Sequence, residues 1–598
     1  MPLLACPAGP PRVDSEGLTQ FRPQRRRQTD TNPRLANLGW IVAAALIVLV
    51  YAPYVIWGGI IIDDWAVVYH LADSPHPMSL WESYQSWFPL FSNRPLAPVA
   101  LALCSHLFAG CPRGFILVNL GIWLGALVLL IAALRRYHGP GFGYLLVLLA
   151  AFPPISSTVI FSPAMQMLGS LSILLWALSF WLLLRDVVRD RYSWVPYLPL
   201  LAALLTYEII LPLVPLTLLY PLAVRPDSAA DRPSHRRGSY LLKYVLPVVL
   251  ILLAVLILQR WVMPQFMAVD SRLRLPRLTT GCFLCLAWFG SVLVLTPWLL
   301  LRAIAYLPAS YPACWQMILV VMLLIAGFFL WRPARDLSSR FFSQRKYRPL
   351  GILVVAFLSC PLLYVLSSSL AMIGGYSNRG LTSAWLIVSM LLACLPAIPG
   401  RRGLQRLSFA AVLVVLAFCV ASFMVQRDNY LLSWRLQKQV LDAFVAQAKE
   451  AGLPRGARII GNVPRRVASN YNDEEVFGNA WDFGRALRLS THGLVADGIP
   501  VTRTQIDQGN VQQRGDELLV NGGWRADTSS LWFFEFDQRT HRCRLLRIED
   551  AAHLSRLLDE LGKTEINHVP ESLGTRWPVE WRAWLKRWAK NRFGNRPW

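Results

Sequence analysis

The chain has 598 residues, of which 55% are hydrophobic and only 16% are charged. This balance is typical of a membrane protein, and the apolar runs that recur between Leu38 and Val425 approach the length of about 20 residues that a helix needs to cross hydrocarbon. A formal charge of +24 is compatible with a nucleic-acid partner, but much of the basic content lies in short segments between apolar runs, and this placement argues against one. Positive-inside topology and anionic membrane lipids explain that placement.

The N-terminal segment, residues 1–36, is basic and precedes the first apolar span, residues 38–57. Because it has no convincing cleavage site, it is expected to be a cytoplasmic tail on a retained signal anchor. This orientation places the adjacent Asp63 and Asp64 on the exoplasmic side. Residues 58–112 then predict a long exoplasmic loop, whose Trp-rich and Tyr-rich helices lie at the membrane interface.

The short apolar stretch 96–108 decides the predicted topology. Counting it as a span would place Arg135 and Arg136 outside and would reverse the positive-inside rule at three places. Counting it as interfacial predicts spans near residues 115–134, 142–154, 164–184, 194–206, 208–224, 241–260, 281–301, 313–332, 349–371, 381–399 and 406–426. The basic segment 332–348 belongs inside, which requires one span more or fewer, so 11–13 transmembrane helices are expected.

Residues 427–598 have the composition of a soluble domain. An amphipathic helix, a Gly/Pro turn and the strand RIIGNV are followed by two strands around a turn in SSLWFFEFDQRTHRCRLLRIED. The basic, Trp-rich PVEWRAWLKRWAKNRF predicts a last amphipathic helix at the membrane surface. The expected fold is therefore an all-α polytopic membrane protein, residues 37–426, with a small C-terminal α/β domain. The topology places that domain on the periplasmic side of a bacterial inner membrane.

Polar side chains from several loops are predicted on this exoplasmic side. Glu208 interrupts an apolar run and would be costly if it faced lipid, which indicates function, although an exposed bend between two short helices remains open. Asp63 and Asp64 would equally serve as a helix cap at the water boundary. The other members of this polar set are His70, Asn93, Arg94, Arg272, Arg274, Asn378 and Arg379.

This arrangement resembles the integral-membrane glycosyltransferases of the GT-C superfamily. The nearest likeness is to the transmembrane and tetratricopeptide-repeat O-mannosyltransferases and their bacterial relatives. Glu208 begins a later span, as in that family, and Arg379 lies in a later exoplasmic segment. The segment FPPISSTVIF lacks the family's His-Pro and Glu, and no tetratricopeptide repeats follow, which leaves the sugar and the acceptor open. The positions that match the family's first motifs are Asp63, Asp64, Arg94, Pro95, Leu96, Val118 and Asn119.

The resemblance implies that a sugar moves, with inversion, from a polyprenyl-phosphate donor to an envelope glycan, lipid or protein on the exoplasmic face. Asp63 is the first candidate for the base and Asp64 the second, because a like-charged neighbour and partial desolvation raise a carboxyl pKa. Cationic side chains would then bind the phosphate leaving group. The candidates are Arg94 and Arg379, with Arg272 and Arg274 behind them, and Glu208 belongs to the same substrate-binding set.

No cofactor is expected, and two adjacent Asp residues identify no metal, which leaves a divalent cation as an open alternative. Two other functions also remain open. One is a membrane transporter or flippase in which Glu208 and the arginines line a pathway. The other is a non-catalytic membrane scaffold whose C-terminal domain binds a partner.

Overall fold

A computed structural model of the chain describes residues 33–74, 76–189, 191–224, 241–266, 278–310, 327, 347–367, 370–373, 376–397, 402–520, 523–563 and 566–569, with scattered positions between 576 and 587. The predicted span 313–332, apart from Gly327, lies outside these residues. So do the candidate site residues Arg272 and Arg274.

Helices form nearly all of the described chain before residue 451. Short 3₁₀ turns at Glu208–Leu213, Tyr376–Leu381 and Leu395–Ala397 connect them, and π-helical turns at Leu241–Val245, Leu258–Val262 and Gly290–Leu295 continue their neighbours. The α-helices are α1 (Pro33–Trp57), α2 (Asp64–Val68), α3 (Leu80–Phe91), α4 (Ala97–Leu107), α5 (Pro112–Ala151), α6 (Thr158–Phe161), α7 (Pro163–Val188), α8 (Tyr197–Thr206), α9 (Val214–Val224), α10 (Leu246–Ile257), α11 (Met263–Phe266), α12 (Leu278–Phe289), α13 (Thr296–Ser310), α14 (Tyr347–Ser359), α15 (Pro361–Ser367), α16 (Thr382–Cys394) and α17 (Arg402–Glu450).

Six helical segments of the described chain are long and apolar enough to cross a membrane. They are Trp40–Trp57, Pro112–Leu134, Pro163–Val188, Thr279–Ala303, Arg348–Leu366 and Gly403–Glu450. Shorter apolar helices accompany them at Ala97–Leu107, Phe142–Ala151, Tyr197–Thr206, Glu208–Pro221 and Leu242–Ile257. The chain is thus an integral membrane protein, and the predicted all-α membrane part is confirmed.

Helix α4 coincides with the stretch that decided the predicted topology. It has 11 residues, so it rises about 16 Å. This falls well short of the roughly 30 Å of bilayer hydrocarbon. Its length therefore agrees with the interpretation that residues 96–108 do not form a span.

The predicted span 115–134 and most of the predicted span 142–154 lie within α5, which ends at Ala151, and the chain reverses direction between them. A Cβ placed on Gly143 would lie 3.2 Å from the side chain of Ile131, whereas a straight helix would separate the two residues by about 18 Å. The rings of Trp40 and Tyr144 are in contact, with centroids 4.4 Å apart. The reversal therefore lies at the same end of the membrane part as the beginning of α1.

The C-terminal domain contains two sheets. Its strands are β1 (Ala457–Asn462), β2 (Val495–Pro500), β3 (Val511–Arg514), β4 (Glu517–Val520), β5 (Trp524–Asp527), β6 (Leu531–Phe536) and β7 (Cys543–Arg547), and its helices are α18 (Ala480–Ser490), α19 (Arg503–Asp507) and α20 (Ala551–Lys563). The main sheet has the order β2-β1-β6-β7, with β1 parallel to both neighbours and β7 antiparallel to β6. Strands β3, β4 and β5 form a separate antiparallel sheet. The predicted small α/β domain is confirmed, including the strand RIIGNV and the β6–β7 pair.

Helix α17 joins the two parts without interruption. Its 49 residues correspond to a length of about 74 Å, and the boundary predicted at residue 426 falls inside it. Its apolar first half belongs to the membrane part. Its second half supports the main sheet, since Phe444 meets Phe534 edge to face with ring centroids 5.0 Å apart. The domain is therefore joined to the membrane part by a continuous helix.

The described positions of the C-terminal Trp-rich segment contact the membrane helices. A Cβ at Gly290 would overlap the ring of Trp577, so the absence of a side chain there permits the contact. Trp581 packs against the cluster of Phe283, Leu284 and Ala287. This second attachment lies at the other end of the domain's sequence from α17.

Candidate functional site

The two adjacent aspartates follow a tight turn after α1. A Cβ at Gly59 would overlap the ring of Trp434 in α17, so glycine is needed for this approach. Ile62 has φ +44°, a left-handed conformation that is strained for a β-branched residue and that surrounding contacts must enforce. Its side chain is buried. The turn leaves Asp63 and Asp64 in two different environments.

Asp64 is fully buried and holds the beginning of α7. Its Oδ1 accepts hydrogen bonds from Ala164 N at 3.1 Å, Met165 N at 2.8 Å and Ser162 Oγ at 3.0 Å, and its Oδ2 accepts one from Ile61 N at 3.2 Å. The first two donors are orphan N–H groups of the first helical turn, so Asp64 caps α7 from a distant part of the chain. Burial raises the pKa of Asp64 to about 7, against the opposing effect of these hydrogen bonds.

Asp63 instead faces a partly open space together with Arg379. Its Oδ2 lies 4.0 Å from Nη1 of Arg379, and the two side chains are 33% and 26% exposed. The neighbouring Asn378 is buried and holds the Tyr376–Leu381 turn in place, because its Oδ1 accepts hydrogen bonds from the backbone N–H, at 3.2 Å, and the hydroxyl of Thr158. Asp63 and Arg379 thus meet in a partly exposed position. The buried Asn378 holds the backbone next to Arg379 through its hydrogen bonds with Thr158.

Arg94 and Glu208 form a bidentate ion pair close to this site. Nε of Arg94 donates to Oε2 of Glu208 at 2.5 Å, and Nη2 donates to Oε1. The guanidinium group also lies 4.2 Å from the centre of the Tyr207 ring. It is near enough to Arg379 for their positive charges to interact. The structure therefore brings Asp63, Arg94, Glu208 and Arg379 together, with Arg94 already bonded to Glu208.

A loop of the C-terminal domain, residues 463–479, follows β1 and enters the membrane part. The hydroxyl of Tyr471 donates to Leu299 O at 2.6 Å, and Nδ2 of Asn472 donates to Ile373 O at 3.0 Å. Both loop side chains are buried. We call this segment the inserted loop, and it connects the sheet with the helices around the Tyr376–Leu381 turn.

The inserted loop leads into α18, whose first turn approaches Asp63. Asp482 accepts backbone hydrogen bonds from Gly478 at 2.6 Å, Asn479 at 3.0 Å and Phe483 at 2.7 Å. Burial raises the pKa of Asp482 to about 6, and the negative charge of Asp63 adds to the rise. The C-terminal domain therefore forms one wall beside the Asp63 carboxylate.

An ionic contact ties the loop between α2 and α3 to the same helix. Asp73 is 2.6 Å from Nη2 of Arg485 and also bonds to Arg488. Its side chain is only 7% exposed. We call this contact the Asp73 latch, and it holds α18 close to the Asp63 site.

The sequence interpretation did not include the inserted loop or Asp482 in the site. The available signal was the run NYNDEE, residues 470–475, which places three consecutive acids after a strand in a chain of net charge +24. Such a run is ordinarily a solvated surface segment, and no local pattern indicates that it enters a membrane part.

Among the described residues, no three His, Cys, Asp or Glu side chains meet as metal ligands would.

The chain has a structural likeness to a solved membrane protein. No family model matches the chain, and no curated protein matches it. The crystal structure of ArnT from Cupriavidus metallidurans bound to undecaprenyl phosphate aligns with 76% of this chain and 85% of its own, at 13% sequence identity and a TM-score of 0.32. A likeness of this size leaves the function to be argued from the chain's own residues.

Proposed function

We propose that the protein is a glycosyltransferase of the GT-C type that uses a sugar linked to a polyprenyl phosphate. The observation that carries the proposal is the meeting of a partly exposed carboxylate, Asp63, with a partly exposed guanidinium, Arg379, at the end of the membrane part. The Asp-Asp and Arg-Pro-Leu motifs that resemble the GT-C superfamily support the same reaction. An envelope glycan, lipid or protein accepts the sugar.

Asp63 is the base in this reaction. Its carboxylate takes the proton of the acceptor hydroxyl while the acceptor oxygen bonds to the anomeric carbon from the face opposite the phosphate. The bond between the anomeric carbon and the phosphate oxygen breaks, and its electron pair stays on the phosphate. The 4.0 Å separation from Arg379 is longer than a hydrogen bond, so the carboxylate keeps acceptor capacity for a substrate proton.

Arg379 stabilises the phosphate as its charge grows. A guanidinium group presents donors in a planar fork that suits phosphate oxygens. Arg94 lies behind this site in a bidentate pair with Glu208, which fixes its position and offsets its charge, so the phosphate is assigned to Arg379. The neighbouring Asp64 directs its hydrogen bonds into the protein. It therefore positions α7 and the turn that presents Asp63. The reaction as proposed uses no metal ion.

The site is proposed to face the periplasm of a bacterial inner membrane. Asp63 follows the end of α1, whereas the beginning of α1 lies beside the reversal in α5. The sequence at that reversal contains Arg135 and Arg136, and the N-terminal tail is also basic. Since basic segments stay in the cytoplasm, the Asp63 end and the C-terminal domain belong on the opposite side.

A transfer assay on the purified protein tests this proposal. We expect transfer from at least one member of a panel of radiolabelled polyprenyl-phosphate sugars, and a loss of about 10²- to 10⁴-fold in Asp63→Asn, the range that a positioned general base supplies. Arg379→Gln should also reduce the rate. The matched control is Asp559→Asn, which removes one exposed carboxylate of α20 and should leave transfer unchanged.

Two outcomes would contradict the proposal. If Asp63→Asn transferred at the rate of the control, Asp63 would not be the base. If the protein instead moved a labelled lipid-linked sugar across the bilayer of a vesicle without forming a glycosidic bond, the transporter alternative would replace it.

A further inference from the structure

A second polar site lies within the C-terminal domain, apart from Asp63. The chain leaves β1 to form β2 on one side and later returns to form β6 on the other, so the strand order reverses at β1. A cleft of about 530 Å³, counting the solvent it opens onto, lies at the carboxyl ends of β1 and β2. Open α/β sheets bind ligands at such carboxyl ends, where the strand order reverses.

The cleft is lined by basic side chains from three separate segments. Arg465 follows β1, Arg503 follows β2, and His568 belongs to the segment after α20. Arg466 lines it too, with a side chain that is only 11% exposed. None of the described residues that line the cleft carries a carboxylate.

The carboxylates that interact with these arginines lie outside the lining, and Glu475 is the one that interacts with Arg465. Asp473 is 3.5 Å from Nε of Arg466, and Asp507 is 3.7 Å from Nε of Arg503 on an exposed face of α19. A solvated basic surface would spread its charges apart. Here Arg465, Arg466 and Arg503, which belong to two distant segments of the chain, converge on one concave space, where an entering anion would meet several guanidinium groups at once.

We propose that this cleft binds an oxyanion, a phosphate or carboxylate group carried by an acidic glycan or by a lipid headgroup. Guanidinium groups match the geometry of both anions through paired hydrogen bonds. Thr502 and Thr504 lie in the same lining, and the Thr502 hydroxyl bonds to Gln505 and caps α19. This inference does not depend on the proposed transfer reaction, because binding in the cleft requires neither Asp63 nor Arg379.

The position of the cleft connects it with the membrane part. The inserted loop begins in the lining at Val463, and a backbone bridge joins its two limbs between Arg466 and Glu475. The far end of the loop carries Tyr471 into the membrane helices. An anion in the cleft therefore contacts the base of the loop that borders the Asp63 site.

Calorimetric titration of the full chain in neutral detergent tests the proposal. The soluble probes are inorganic phosphate, glycerol 3-phosphate and glucuronate, and a separate arm uses phosphatidylglycerol vesicles and phosphatidylcholine vesicles. We expect saturable binding that the double variant Arg465→Gln/Arg503→Gln weakens by about tenfold or more. The matched control is Arg525→Gln/Arg539→Gln, which removes the same charge from exposed positions outside the cleft and should bind as the unaltered protein does.

The two arms distinguish the sources of the oxyanion. Binding of soluble probes that depends on the cleft arginines assigns a soluble acidic ligand, and binding confined to phosphatidylglycerol vesicles assigns a lipid headgroup. Equal binding by the cleft variant and the unaltered protein would overturn the proposal, and so would equal weakening in both double variants. A folded cleft variant is verified by an unchanged melting temperature.

Discussion

Asp63 and Asp64 differ more in their surroundings than any sequence pattern indicates. One peptide bond separates them, yet Asp64 accepts four hydrogen bonds in a buried position while Asp63 remains one-third exposed opposite Arg379. The left-handed turn at Ile62 produces this difference. A carboxylate that caps a helix has its acceptor sites occupied, whereas a general base must keep one for the substrate. We therefore propose that Asp64 has a structural role and that Asp63 is the catalytic carboxylate.

Stability measurements should separate the two roles. Asp64→Ala removes the acceptor for two helix N–H groups, so we expect it to lower the free energy of unfolding by about 2–4 kcal/mol. Asp63→Ala removes a partly exposed carboxylate and should change it by less than about 0.5 kcal/mol. Apparent melting temperatures of both variants in the same detergent provide the comparison. An equal loss in the two variants would contradict this division of roles.

Asp64→Asn provides a second test of the same assignment. An amide oxygen still accepts hydrogen bonds from Ala164 and Met165. This variant should therefore retain most of the stability that Asp64→Ala loses, while Asp63→Asn still loses transfer.

At the scale of elements, the sequence is most informative where one physical rule dominates. Hydrocarbon requires every backbone group to be paired within the protein, so long apolar runs become helices. The two apolar runs 115–134 and 142–154 are separated by the basic residues Arg135 and Arg136. This pattern predicts two membrane helices with a reversal of the chain between them. Alternating strands around a turn similarly predict β6 and β7. These features depend on residues close together in the chain.

The features of the fold and of the candidate site that the sequence does not predict depend on contacts between distant residues. The partner of Asp64 lies at Ala164, and that of Arg94 lies at Glu208; no periodicity specifies either pair. The first half of α17 reads as a membrane span and the second as a soluble helix, yet the structure makes them continuous. The course of the inserted loop is likewise decided by tertiary packing around Tyr471.

The Asp73 latch gives a prediction at this scale. Asp73→Asn removes the charge that holds Arg485 and Arg488, which are 20% and 40% exposed. Because solvent screens such pairs, we expect a modest cost of about 1–2 kcal/mol. Amide hydrogen exchange in α18 should accelerate by about tenfold, while exchange in the membrane helices stays unchanged. The control, Asp507→Asn, breaks an exposed pair with Arg503; if it had the same effect on α18, the latch would have no specific role.

For the whole molecule, the two parts behave as one structure. Within the described residues, the C-terminal domain is attached to the membrane part by helix α17, the inserted loop, the Asp73 latch and the contact of Trp577 with Gly290. The inserted loop brings the buried Glu474 and the partly buried Glu475 into this contact region. Burial raises the pKa of each to about 7, so the stability of the assembled protein should depend on pH.

This dependence has a definite sign. The ordinary pKa of a glutamate is 4.5, so between that value and about 7 the folded protein binds more protons than the unfolded chain. Stability is therefore greatest at the acidic end of this range and falls as pH rises towards 7. One group with such a shift contributes on the order of 3 kcal/mol. The apparent melting temperature in detergent should accordingly fall between about pH 5 and about pH 8.

Glu474→Gln isolates this contribution from the other charges of a basic protein. Its side chain is neutral throughout, so the variant should melt higher than the unaltered protein at about pH 8 and show a smaller decrease with pH. Glu549→Gln, which neutralises an exposed acid of the same domain, should reproduce the unaltered pH profile. Were Glu474→Gln to melt lower at about pH 8 and keep the full decrease, Glu474 would be ionised and stabilising in the folded state. The inserted loop would then be held by charge, and not by the burial of protonated acids.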